Sequence, residues 1–127
     1  MALAGCNAAG EPDGAKRFSD ADVPFTFEIP ADFTKADIDQ GNSRGDVVAG
    51  VGLSKVDVVA VRRAREGIVA VGGVNRFPHE VLGQRVTSEL HAVPGFSGWA
   101  LECQYTPEHA DTVLKACRRA VATVRQK

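Results

Sequence analysis

The chain has 127 residues, enough for one domain and too few for two ordinary ones. Hydrophobic residues make up 44%, so one core can form, and a net charge of −1 lacks the basic excess of nucleic-acid binders. No stretch approaches the ~18 consecutive apolar residues of a membrane-spanning helix, and 13 glycines with few aromatics favour strands and tight turns over a helical bundle.

In chain order, Leu3-Ala4-Gly5-Cys6 stands directly behind Met1 as a short apolar stub. Residues 7–21 are rich in Ala, Gly, Asp and Pro, have no apolar period and read as a flexible tether, in which Phe18 is the residue expected to dock on the domain. Order begins with "VPFTFEIP". Val23, Phe25, Phe27 and Ile29 alternate strictly with polar residues or proline, which predicts a half-buried strand that starts at an edge beside Pro24 and stops at Pro30. The next segment, 31–46, is expected to hold one short helical turn and then a Gly-Asn-Ser-Arg-Gly loop.

Two strands follow, "DVVAGVGLS" (46–54) and "VDVVAVRRA" (56–64), joined by a hairpin turn near Lys55. Gly50 and Gly52 mark a bulge or a close backbone approach. "GIVAVGG" (67–73) reads equally as a short strand or as the lead-in to a helix. "FPHEVLGQRVTSELHA" (77–92) predicts a helix, with Pro78 in its first turn and Val81, Leu82, Val86 and Leu90 as its apolar stripe. "GWALECQYT" alternates Trp99, Leu101, Cys103 and Tyr105 on one face and predicts a strand. The last helix starts at Thr106 as N-cap and Pro107 at its first position. Its acidic residues come early and its basic residues late, and its stripe is Val113, Leu114, Cys117, Val121 and Val124. The expected organisation is a leader remnant over 1–6, a tether over 7–21 and a single globular domain over 22–127.

Three cysteines are present. By the patterns above, Cys103 faces inward from the last strand and Cys117 from the last helix. Two readings are open: a disulfide formed in an oxidising compartment, or two buried free thiols. A bond would close a loop of ~15 residues and stabilise by about 3 kcal/mol in the chain-entropy account. The spacing suits neither a metal site nor a C-x-x-C redox motif. Leu3-Ala4-Gly5-Cys6 resembles the lipobox of bacterial lipoproteins, in which cleavage before the cysteine exposes a thiol that receives a diacylglycerol. The charged and apolar regions of a signal peptide are not found before it.

The domain resembles known types as well. "FTFEIPADFT" resembles the opening strand and turn of PsbP-like domains, "GDVVAGVGLSKVDVVAVRRA" is similar to the hairpin that follows, and "LECQYTPEHADTVLKACRRAVATV" resembles the closing strand and helix of LpqN/LpqT-like lipoproteins of high-GC Gram-positive bacteria. The resemblance spans roughly residues 22 to 125. It implies an α+β fold, a central antiparallel sheet flanked by helices on both faces. This chain departs from the fuller PsbP-like pattern by being short between the hairpin and the last strand, where one strand is expected to be missing or reduced. It implies no catalytic residues, because family members are mostly accessory or binding proteins.

Other motifs read as ordinary structure. Of the three histidines His79, His91 and His109, the first and third sit in first turns of predicted helices. Gly95-Phe96-Ser97-Gly98 misses a nucleophile elbow by one residue, Gly50-x-Gly52 lacks the rest of a dinucleotide fingerprint, and Arg44-Gly45-Asp46 is a three-residue match in a loop. Arg62, Arg63 and Arg65 read as a solvated strand edge, and Gly72-Gly73 as a turn. No catalytic, metal or cofactor residue is expected. The expected protein is a non-enzymatic binding or accessory lipoprotein on the outer face of the bacterial cell membrane. It is held there through Cys6 and stapled by Cys103–Cys117, with an envelope protein or small molecule as partner and no nucleic acid. The alternatives are a carrier of lipid or small amphiphile with an apolar pocket between sheet and helix, and a hydrolase.

Overall fold

The computed structural model describes residues 14–36, 47–64 and 74–127. Cys6, residues 7–13 of the expected tether, the Arg44-Gly45-Asp46 loop, Arg65 and the 67–73 segment lie outside the described residues.

The alternating segment forms strand β2 (Phe25–Pro30). Phe25, Phe27 and Ile29 are fully buried, and Thr26 and Glu28 face the other way. It is not an edge strand. It lies at the centre of a three-stranded antiparallel sheet, between β1 (Ala15–Phe18) and β9 (Arg125–Gln126). Pro24 stands just before the ladder, and its carbonyl accepts from the Lys127 amide.

Strand β1 corrects the tether expectation. Residues 15–18 have no apolar period, and they become a strand because β2 offers them a complementary edge. Arg17 falls opposite Glu28, and Phe18 opposite Phe27. Phe18 stacks on Phe27 with ring centroids 4.7 Å apart, as expected for a docking residue. Arg17 also donates to Thr26 Oγ1 at 2.9 Å and to the Thr123 carbonyl beyond the helix. Pairing with β2, invisible to local pattern, makes this strand.

A six-stranded antiparallel sheet carries the rest, in the order β3-β4-β5-β8-β7-β6. Its strands are β3 (Thr34–Lys35), β4 (Val47–Gly52), β5 (Val58–Arg63), β6 (Val74–Val81), β7 (Gln84–Ala92) and β8 (Trp99–Tyr105). Residues 34–35 pair with Gly52 and Val51. Residues 37–46, the larger part of the segment expected to hold a helical turn and a loop, lie outside the described residues. The β4–β5 hairpin matches the sequence reading, with a register shift between Val47 and Ala49. Gly52 is a close-approach glycine, since a Cβ there would overlap the Asp57 carbonyl and the Val58 side chain. The turn residue Ser54 accepts from the amides of Val56 and Asp57.

The helix expected over 77–92 is instead the β6–β7 hairpin. Val86, Ser88 and Leu90 alternate on the face of the sheet away from the helix and are buried there, while Leu82 of the supposed apolar stripe is 59% exposed. Leu82 and Gly83 form the turn, both at positive φ (52° and 78°), the two-residue geometry whose twist matches paired strands. Pro78 sits on β6, the outermost strand, where a missing N–H breaks no ladder. The region thought to have lost a strand therefore supplies two.

Helix α1 (Ala110–Ala122) follows a 3-10 turn at Pro107–His109 and is the one α-helix among the described residues. Helices on both faces of the sheet are thus not observed there. The helix buries Val113, Ala116, Cys117 and Ala120, while Leu114, Val121 and Val124 only line the rim. Alanines at two of the inward positions let the helix lie close on β2 and β8. Helix, small sheet and the inner face of the large sheet share one core, with Phe25, Phe27, Phe33, Val59, Val61 and Leu101 at its centre. Each such side chain stabilises by roughly 1.5–3 kcal/mol through burial.

Candidate functional site

Four features of the described residues carry polar chemistry or open space. The first is a diagonal line of side chains across the outer face of the large sheet. Arg62 on β5 pairs with Glu102 Oε1 on β8; both are almost fully buried, and Arg62 has a further interaction besides. Ser88 on β7 donates to Glu102 Oε2 at 2.7 Å, and His79 Nε2 on β6 meets the Ser88 hydroxyl at 2.8 Å. The register places these residues on one face as diagonal neighbours. Arg62 therefore corrects the solvated-edge reading: β5 is interior to the sheet, and the guanidinium neutralises a buried carboxylate. Arg63 is the exposed one, 5.0 Å from the centre of the Trp99 ring. Ser88 is wholly buried, and its proton is directed at Glu102 rather than at His79, so it is not set up as a nucleophile beside a base.

The second feature is a knot at the start of the helix. The Asp57 carboxylate accepts from the Thr106 amide at 2.7 Å, the Thr106 hydroxyl at 3.0 Å and Ser54 at 3.1 Å, and lies 3.1 Å from His109 Nδ1. Thr106 was expected to cap the helix with its own hydroxyl. It makes no such bond, and Asp57 from the β4–β5 turn satisfies this end instead. His109 thus fastens a loop to the helix.

The third feature surrounds the disulfide. Cys103 and Cys117 are bonded, with Cα atoms 6.0 Å apart and both side chains fully buried. Beside them on β7, Glu89 is buried and receives Arg76 Nε at 2.8 Å and His91 Nε2 at 3.1 Å. The Tyr105 hydroxyl also bonds Glu89, and burial, then the Glu89 charge, pushes the phenol above its usual range near 10. A ring nitrogen of His91 and the two sulfurs lie within 4.8 Å of one another. Sequence reasoning found no cluster around the cysteines, because His91 joins them only through strand pairing, opposite Leu101 and diagonal to Cys103.

The fourth feature is an open cleft of about 680 Å³ between β1 of the small sheet and the β3–β4 edge of the large one. Its lining is mixed, with Phe18, Ile29, Val48 and Val51 beside Lys16, Arg17, Asp20, Asp22 and Lys35. The space between sheet and helix, where the alternative of an amphiphile carrier needs a pocket, holds Val113, Ala116, Cys117 and Ala120 against Leu101 and Cys103. The Gly95–Ser97 segment lies in the connection between β7 and β8, with Phe96 against Phe25 at 5.0 Å.

Among the described residues, these elements define an α+β protein built on antiparallel sheets, with a Cys103–Cys117 disulfide and a cleft beside β1. No protein-family profile and no curated protein sequence matches the chain. Among solved structures, it is similar to cyanobacterial PsbP (CyanoP) from Synechocystis, at 11% identity and a TM-score of 0.47, over 98% of this chain and 99% of that one.

Proposed function

We propose that this protein is a membrane-anchored, non-enzymatic lipoprotein of the bacterial cell envelope, of the LpqN/LpqT-like, PsbP-like type, that acts as a binding or accessory module. The observation that carries this reading is the Cys103–Cys117 bond. Persistent disulfides belong to oxidising compartments. With three cysteines in the chain and two bonded to each other, Cys6 is left for another chemistry, and its lipobox-like setting supplies one.

The cleft gives the module its binding site. Its wall strand β1 begins at Ala15, so Cys6 lies no more than about 32 Å of chain away. Acyl chains on Cys6 would hold the cleft close to the bilayer surface. The amphiphile carrier is less favoured, since the sheet–helix space it needs is filled. The hydrolase is less favoured too, since Ser88 is buried with its proton on a carboxylate.

The test is metabolic labelling with a palmitate analogue in the bacterial host. The wild-type chain should carry label and partition with membranes, and Cys6→Ser should lose both. Unchanged labelling and partition in the variant would overturn the anchor.

A further inference from the structure

We propose that His91, Cys103 and Cys117 form a redox-gated zinc site: closed while the disulfide stands, and able to take one Zn²⁺ once it is reduced. The donor set is a soft pair of thiolates with one imidazole, which suits zinc. The geometry is close to what the metal needs. Tetrahedral zinc with Zn–S bonds of ~2.3 Å and Zn–N bonds of ~2.0–2.1 Å sets its donors roughly 3.5–3.8 Å apart. The three donor atoms here already fall within 4.8 Å of one another. Opening the S–S bond lets the two sulfurs part to that separation by side-chain rotation, with the backbones at their present 6.0 Å Cα spacing.

The surroundings match those of a metal-binding histidine as well. Such a residue is usually oriented by a carboxylate on its second nitrogen. Here Glu89 holds the imidazole of His91 through Nε2 at 3.1 Å, which leaves Nδ1 as its other nitrogen, and Arg76 fixes Glu89 in turn. The His91 side chain is 15% exposed while both cysteines are fully buried, so the ion enters past the imidazole and a water completes the fourth position.

The chemistry balances with a phosphine as reductant. The phosphine gives up two electrons and takes the oxygen of one water. The S–S bond breaks, and each sulfur takes one hydrogen of that water. On binding zinc, both thiols release their protons to solvent, and bonds form from the two sulfurs and one His91 nitrogen to the ion, whose oxidation state does not change. Disulfide sulfur offers no thiolate, so the oxidised protein does not compete for the metal.

The test uses the full chain in a Cys6→Ser background, so that the two sulfurs in question are alone. Phosphine-reduced protein should bind one zinc per chain in competition with a chromophoric chelator, and cobalt(II) in its place should give a thiolate charge-transfer band. Oxidised protein should do neither. Glu89→Gln should weaken zinc by about 10–100-fold, as loss of an orienting partner does, and His91→Ala should weaken it further. If reduction unfolds the chain, zinc should restore the native far-ultraviolet circular dichroism of the parent and fail to restore that of His91→Ala. Absence of zinc binding by reduced protein, whether it stays folded or fails to refold on adding the metal, overturns the site. So does an affinity that His91→Ala leaves unchanged.

Discussion

Strand β8 is buried on both sides, and its two faces are held by different forces. Toward the helix it presents Leu101, Cys103 and Tyr105, which sit in the apolar core and carry the disulfide. Toward the other side it presents Ala100, Glu102 and Gln104, each no more than 6% exposed. The first face is stabilised by removal of apolar surface and by a covalent staple. The second depends on pairing. A buried carboxylate costs several kcal/mol unless its partners are in place, and here Arg62 and Ser88 meet its two oxygens. Gln104 is satisfied likewise, through its bond to the Val56 carbonyl at 3.2 Å. An alternating strand is therefore not always half solvated.

The largest effect should come from breaking the polar face on one side only. Arg62→Met leaves the Glu102 charge buried and unpaired and should cost about 3–5 kcal/mol in urea unfolding. Adding Glu102→Leu to it should recover most of that loss, because removing both charges also removes their desolvation cost. A double variant no more stable than the single one would mean that the pair is not the source of the effect.

The two faces also differ in how far the sequence discloses them. The inner face was legible because its signals are local: Phe25, Phe27 and Ile29 at period two, Cys103 on a strand, and Cys117 and Val113 on a helix with ordered charges. The outer face was not, because its partners are far apart in the chain, Arg62 and Glu102 by 40 residues. Arg62 read as solvated for the same reason that β5 read as an edge: nothing local says which strands will flank it. The 77–92 error has a different cause. Val81, Val86 and Leu90 satisfy helical and strand patterns about equally, and a Leu-Gly turn lacks the Asn or Asp that usually announces a two-residue hairpin. The candidate site was legible only where it is covalent. Pattern turns Cys103 and Cys117 inward and leaves bond or free thiols open until the structure joins them, while Glu89, His91 and Arg76 come to them from a hairpin whose apolar residues also fit a helix.

On the inner face, the next largest effect is that of the staple. Replacing both Cys103 and Cys117 by serine should cost about 3 kcal/mol, the value for a loop of ~15 residues. Replacement of one cysteine should cost at least as much and leave a free thiol that alkylates only on unfolding. Unchanged unfolding of the double variant would remove the disulfide from the account of the core, and with it the main support for an oxidising compartment.

The smallest effect lies where the two chemistries meet. Tyr105 ends the apolar row of β8, yet its hydroxyl rests on Glu89 of the polar cluster around His91. Burial first, and the Glu89 charge second, favour the neutral phenol, so its pKa in the fold lies above the unfolded value near 10. The folded state holds the proton more tightly than the unfolded one, so this contribution to stability is complete below about pH 10 and is lost as pH rises through the folded-state value. The chain has one tyrosine, which makes its ultraviolet absorbance titration unambiguous. Glu89→Gln should lower the midpoint, since it removes the charge, yet leave it above that of a free tyrosine, since burial remains. Arg76→Gln should move it the other way, because the Arg76 charge favours the phenolate. A midpoint unmoved by Glu89→Gln would make burial the sole cause and would separate Tyr105 from the polar cluster.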